Sequence, residues 1–291
     1  MSFLLKRDPR AGLTARKAEE RTARARAILE DASAGLVFDP VPHTYVLGER
    51  ELASVSSIVE WFVPFDQEAV ALTSSKNPKS QYYGMEVSDI IAGWEAKRDE
   101  AAAAGTAVHA FGEACCLWMT GREDLIEPEL RDRITSEGLA AVTPKEVACA
   151  LWWRDLDWSR YAVTAKETRL ANPSAGYAGT MDLLLYDLKE DGFRLKDYKT
   201  NENLRKWYGD RMRPPLDFLK AYDIDKYTVQ QTLYTIEMRS VGLRILSNDL
   251  VWLKEESYEE VGLDMRYDKM ISYAAGVALD DIRKRKSISK S

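Results

Sequence analysis

The sequence predicts an α/β protein: a mixed β-sheet flanked by helices, with a helical extension at its N-terminus. Three observations predict it. Between residues 161 and 200 the hydrophobic pattern has the period of strands, in three consecutive runs. A helical stretch over 225–240 and another strand over 243–253 follow, so an antiparallel meander continues through a helical crossover, which makes the sheet mixed. Ahead of all this stands an Ala/Arg/Glu-rich stretch over 14–33 that suits an exposed helix.

In chain order, Val37 to Leu47 and the segment after Gly48 read as two short strands around a glycine turn, with a helix starting near Ser54. Residues 73–84, with Asn77-Pro78 and Gly84, read as a loop. Residues 86–120 are helical in pattern, with Gly105 interrupting an alanine run before His109. Tyr161 to Leu170 alternates as a strand, and Tyr177 to Tyr186 is a nearly continuous apolar strand. Lys189-Glu-Asp-Gly192 turns the chain into a returning strand, Phe193 to Thr200. A long loop with Pro214-Pro215 covers 201–224. The expected organisation is a basic helical extension (1–35), a hairpin with helices (36–100), a core (101–260), and a C-terminal helix with a basic tail (261–291).

Composition bounds the rest. The 291 residues are 45% hydrophobic and 30% charged, as in an ordinary globular chain and unlike a disordered one. No apolar run approaches the ~20 residues of a membrane helix, and the N-terminus has too short an apolar stretch for a secretory signal. Three cysteines, Cys115, Cys116 and Cys149, are too few for a disulfide framework or a four-cysteine cluster, so no iron–sulfur cluster and a reducing cytoplasm are expected. Net charge is −6 but unevenly spread. Residues 1–30 carry eight Lys/Arg against four acids, residues 281–291 carry five against Asp281, and the middle holds −14. An acidic body with basic ends suits an enzyme that holds cations and touches a polyanion elsewhere.

The chemistry concentrates on the meander. Strand side chains alternate faces, so Asp197 and Lys199 share one face and Tyr198 takes the other. Asp182, 15 residues before Asp197, lies on the hairpin partner and can come alongside it. Two carboxylates and an ammonium among leucines are costly to bury without a use. Open carboxylate positions suit a hard divalent cation such as Mg²⁺, and the lysine can act on a nearby phosphate. The plainer alternative is a salt-bridged surface hairpin, because Asp-x-Lys alone is common.

Gly105-Thr-Ala-Val-His109, Glu167, Gly179-Thr-Met-Asp182, Asp197-Tyr-Lys199 and Gln230-Gln-Thr-Leu-Tyr234, in that order, resemble the PD-(D/E)xK nuclease superfamily, in particular its RecB-like, phage-type exonuclease branch. Phe38…His43-Thr-Tyr45 and Ser54-Val-Ser56 resemble the branch's N-terminal hairpin and helix start, with Ser56 where threonine is usual. The likeness covers roughly residues 36–255.

The resemblance implies a restriction-endonuclease-like sheet and a Mg²⁺- or Mn²⁺-dependent DNA exonuclease of the phage replication or recombination type, acting in the cytoplasm of a host cell if phage-encoded. It implies Asp182, Asp197, Lys199 and Gln230 as catalytic residues. It implies His109, Asp182, Asp197 and the backbone carbonyl of Tyr198 as metal ligands, with Glu113 and Glu167 supporting them or holding a second ion. Glu113, one helical turn from His109, is the expected acceptor for the second imidazole nitrogen. Gln230 and Tyr234, four apart on a helix, share a face that would line the nucleic-acid cleft. Basic and aromatic residues interleave in the loop as Arg205, Lys206, Trp207, Tyr208, Arg211 and Arg213, a composition that suits single-strand binding. DNA, single- or double-stranded, is the expected partner, with replication or recombination proteins and without a membrane. The competing readings are a structure-specific or flap endonuclease of the same fold and a catalytically inert DNA-binding subunit.

Overall fold

In the computed structural model, which describes residues 3–39, 44–206 and 209–289 (backbone alone for 12–15, 17 and 286–289), two sheets share the molecule with eight helices. The first half of the chain runs β1 (Phe3–Leu5), α1 (Pro9–Ala32), β2 (Leu36–Asp39), β3 (Thr44–Leu47), β4 (Arg50–Ser54), α2 (Val55–Phe62), α3 (Gln67–Lys76) and α4 (Val87–Met119). Then come α5 (Pro128–Arg131), β5 (Ile134–Thr135), β6 (Gly138–Ala141) and α6 (Pro144–Asp155). The second half runs β7 (Tyr161–Asn172), β8 (Tyr177–Asp187), β9 (Gly192–Lys199), α7 (Asp223–Ser240), β10 (Ile245–Leu253), β11 (Tyr258–Gly262) and α8 (Asp268–Ser289).

The large mixed sheet is built on β8. One edge of β8 pairs antiparallel with β7 along its length. Its C-terminal half pairs antiparallel with β9, and its first residues pair parallel with β4. Through α7, β9 continues to β10 in parallel, and β11 closes that side. The hairpins β2–β3–β4 extend the other end. The three-stranded sheet β1–β6–β5 lies apart.

Both faces of the large sheet are covered, which is why β8 reads as a continuous apolar run. Leu183 and Leu185 enter a core with Phe111 of α4 and Trp152 and Trp153 of α6. Leu184 and Tyr186 enter the opposite core with Leu233 of α7 and Ala274 of α8. Met181 also lies in that second core, so the alternation of faces slips by one residue at Asp182.

Local chemistry fixes the helices that carry the site. The Ser54 hydroxyl accepts the Ser57 N–H and starts α2, as the sequence predicts. Thr143 and Glu146 form a capping box on α6, with Arg133 bonded to the buried Glu146. The buried residues of α1 among those described, Ala11, Ala18, Thr22, Ala25 and Leu29, follow helical spacing on one side, and the helix lies on β7. Only the C-terminal third of α4 is continuously packed, from Val108 to Met119.

The structure departs from expectation in three places. The N-terminal strands number three rather than two. Residues 73–76 belong to α3, whose cap is Asp66 accepting the Ala69 N–H, so the Thr-Ser-Ser run is the end of a helix rather than a loop. The small sheet, α6 and β11 have no counterpart in the sequence reading; two- to five-residue strands leave too short a period to detect. No helix among the described residues is long and apolar enough to cross a membrane. His43 of the expected hairpin lies outside the described residues.

Candidate metal centre

The site forms where β8 and β9 part. Their ladder ends at Leu183 opposite Lys196. Carried one step further, that register sets Asp182 opposite Asp197, and the β7–β8 register sets Glu167 opposite Asp182. Three acidic residues thus stand abreast on three adjacent strands. At the fork Asp182 replaces the missing ladder bond: its Oδ2 accepts the Tyr198 backbone N–H at 2.9 Å. Glu167, opposite, has a left-handed backbone with φ 42°, an uncommon state for a side-chain-bearing residue, and one that concentrates at functional sites.

His109 comes from α4. Its Nδ1 lies 3.3 Å from Asp182 Oδ2 and its Nε2 lies 3.1 Å from the Tyr198 carbonyl oxygen. Two glycines allow the approach. A Cβ on Gly112 would stand 2.9 Å from the Tyr198 ring, so α4 can press onto that ring only without a side chain there. On the other face, a Cβ on Gly179 would stand 2.5 Å from Tyr234, which is buried against the strand.

Among the described residues, one ligand atom each from His109, Glu167 and Asp182 lie within 4.8 Å of one another. This donor set suits a divalent cation. A neutral imidazole has one N–H and can donate to only one of the two oxygens it faces. If Nε2 donates to Tyr198, the Nδ1 lone pair faces the Asp182 carboxylate, and a cation between them turns that repulsion into ligation. Crowding of negative charge is already felt. The Glu167 carboxyl is pushed up to about 8 by partial desolvation first, then by Asp182 and Glu113, although much of the residue faces solvent.

Asp197 stands outside the three-residue set. It is buried, with Oδ1 accepting from Gln231 Nε2 at 2.8 Å and Oδ2 paired with Lys199. Burial, and next Asp182, push it up to about 6 while Lys199 pulls it back. Burial alone would lower the Lys199 ammonium, but Asp197 and Asp182 outweigh it and hold the lysine well above its ordinary range. The same ammonium sits 4.5 Å from the centre of the Tyr227 ring. Tyr198 turns its ring to the other face, edge-on to Trp152 and His109, in keeping with strand alternation.

The remaining expected residues divide. Glu113 does not hold His109; it pairs with Lys166 of β7, and the second imidazole nitrogen meets the Tyr198 carbonyl instead. The reason is reach: Tyr198 lies directly beside His109, and Lys166 offers Glu113 a charge. Glu167 joins the central set rather than supporting it. Gln230 lines a cavity of about 390 Å³ with Glu167, Arg169, Thr180 and Tyr234, while its neighbour Gln231 makes the contact to Asp197. Gln231 is not among the expected residues; with Thr228 and Thr235 it forms a buried polar stripe at helical spacing, which the fold reveals and the sequence pattern does not.

In the loop, Arg205 and Lys206 are exposed, and Arg211 donates to the Asp217 carbonyl. Arg213 lies 5.2 Å from the Trp61 ring centre and its N–H bonds the Phe62 carbonyl, so it serves α2 packing. Trp207 and Tyr208 lie outside the described residues. Cys115, Cys116 and Cys149 are buried thiols in the α4/α6 core. Set against known proteins, the chain matches no family profile and no curated relative.

Proposed function

We propose that this chain is a divalent-metal-dependent deoxyribonuclease with the PD-(D/E)xK architecture, cutting DNA in the exonuclease manner of phage replication or recombination enzymes. The observation that carries the reading is the set of His109, Glu167 and Asp182 at the strand fork, beside buried Asp197 in its ion pair with Lys199. Nothing in a purely structural hairpin calls for three carboxylates abreast at the one point where two strands separate.

The residues divide the work. His109, Glu167 and Asp182 would hold Mg²⁺ or Mn²⁺, and Asp197 would join them if it releases Lys199. When bound, the cation supplies charge for the phosphodiester oxygens and lowers the pKa of a water. Lys199, kept cationic by Asp197 and Asp182, can stabilise charge that develops on the phosphate but cannot serve as a general base. Gln231 fixes Asp197, and Asp197 fixes the ammonium. The Tyr198 carbonyl steadies His109.

The test is incubation with end-labelled single- and double-stranded DNA, and with circular DNA, in Mg²⁺, in Mn²⁺ and in EDTA. Metal-dependent shortening of linear DNA with circles spared is the expected result. Nicked circles would replace the exonuclease mode with an endonuclease mode. Equal products with and without EDTA, or no products in any metal, would overturn the reading.

A further inference from the structure

We propose that the groove between α1, the C-terminal end of α4 and β7 binds the sugar-phosphate backbone of the strand being cut, as a continuation of the metal cluster. The proposal rests on the nuclease reading and deepens it. The groove is open to solvent and has a volume of about 690 Å³, room for a short run of one strand. Arg16 and Arg26 of α1, Arg122 beyond α4, and Lys166 of β7 line it, against Glu19 and Glu30. Lys166 is paired with Glu113, so Arg16, Arg26 and Arg122 carry the excess over Glu19 and Glu30, a net positive lining on a chain whose middle is strongly acidic.

A second observation points to a ligand. Thr164 lines the groove, is 2% exposed, and its hydroxyl has no hydrogen-bond partner among the described residues. A buried hydroxyl without a partner is costly, and a phosphate oxygen would accept from it. Thr164 sits where the β7–β8 register slips between Val163 and Ala165, the kind of bulge that re-aims a side chain. Arg26 Nη1 donates to the Thr164 carbonyl at 3.2 Å, which holds the guanidinium at that bulge.

The groove adjoins the carboxylates along β7. Cys116 and Lys166 line both it and the narrow space bounded by Glu113, Glu167 and Asp182. A strand whose scissile phosphate lies at the cluster would pass Lys166 and enter the groove over the next phosphates.

The experiment measures fluorescence anisotropy of a fluorescein-labelled oligo-dT in EDTA, with the full chain and its variants across a salt series. The Arg26→Ala/Arg122→Ala double variant should bind at least ten-fold more weakly, with a salt slope shallower by about 1.4, since each phosphate contact on a single strand is worth about 0.7. Thr164→Val should bind a few-fold more weakly while its Tm holds or rises. A Tm that falls with affinity unchanged would mark the hydroxyl as structural and count against the proposal. Arg122→Glu, an exposed position, should lose more oligonucleotide affinity than Arg122→Ala, since it sets a negative charge where the phosphates would run. Parental affinity and salt slope in both arginine variants would overturn the groove alone. A parent that binds oligo-dT through these arginines but cleaves nothing in Mg²⁺ or Mn²⁺ would uphold the groove and overturn the nuclease reading.

Discussion

The Asp182 carboxylate accepts the Tyr198 backbone N–H at 2.9 Å, at the point where β8 and β9 cease to pair. One side chain therefore does two things. It closes a ladder that would otherwise leave a donor open, and it offers its charge to the space shared with His109 and Glu167. The two jobs separate chemically, because an amide oxygen can still accept the N–H but carries no charge.

Asp182→Asn should therefore fold and keep its Tm to within a few degrees while losing cleavage at any practical Mg²⁺ concentration. A site short of charge binds hard cations weakly. DNA affinity should hold or rise, because a negative charge facing the phosphates is gone. Gel-shift affinity and nuclease rate on the same preparation check this; full activity would exclude Asp182 from the centre.

Gly179→Ala tests the back wall of the site. The added Cβ would meet the Tyr234 ring at 2.5 Å, and that ring is buried. Overpacking of this kind costs about 1–3 kcal/mol. In the double variant Gly179→Ala/Tyr234→Ala the clash is absent, so the two losses should sum to more than the double variant's loss, by roughly 1 kcal/mol or more. Urea denaturation of the four proteins supplies the cycle, and simple additivity would mean that the ring yields without cost.

How far the site was legible follows from these residues. The pairing of Asp182 with Asp197 is visible in the sequence once the hairpin turn at 189–192 is recognised, because a turn fixes which positions come abreast, whereas Glu167 is set abreast by the separate β7–β8 connection at 173–176. The opposite faces of Tyr198 and Lys199 follow from strand alternation alone. The choice between Gln230 and Gln231 does not, since α7 is buried on several sides and hydrophobic pattern cannot fix its rotation. Helical spacing pairs Glu113 with His109, yet Lys166, 53 residues away on strand β7, takes it. The left-handed backbone at Glu167 has no local signal, because neither glycine nor asparagine marks it. The fork itself is a tertiary feature: the β8–β9 ladder stops at Leu183 while β4 takes the N-terminal end of β8.

At the far end of β8, Asp187 is fully buried and bonded by Arg160 and Arg194. Burial raises its pKa, but the two guanidiniums outweigh that and hold the carboxyl well below the usual carboxylate range. The sign follows: a depressed native pKa contributes stability that is present above the ordinary value of about 3.9 and lost as pH falls below it. Asp187→Asn should cost about 3 kcal/mol at pH 7, as for breaking one side of a buried ion pair. The gap between parent and variant should narrow below about pH 4, where the unfolded parent takes up a proton on Asp187 that the native state, still charged, does not. Urea unfolding at pH 7 and pH 3 measures both gaps; an equal difference at the two values would mean that the Asp187 charge is not what the arginines stabilise.

Lys199→Ala separates holding an ion from acting on phosphate. The ammonium belongs to none of the three side chains that could hold a cation, so on the proposed reading Mn²⁺ and DNA should still bind, while cleavage should fall by about 10²–10³-fold, as when one preorganised electrostatic donor is removed. Stability responds as well, and its pH dependence identifies the partner. Asp197 is already pushed up to about 6, and without Lys199 it loses the group that pulls it back. A carboxyl whose native pKa lies above its unfolded value destabilises the fold as pH rises through the native value, and costs nothing extra below the unfolded one. The Tm deficit of Lys199→Ala should therefore be larger at pH 8 than at pH 5, where Asp197 is largely neutral in the variant. Adding Asp197→Asn should remove most of the pH-8 deficit, because the unpaired charge is then gone while the Gln231 Nε2 donor can still reach an amide oxygen. Parental cleavage by Lys199→Ala would move the phosphate-stabilising group elsewhere, and a deficit independent of pH would mean that the lysine contributes by packing on Tyr227 rather than by neutralising Asp197.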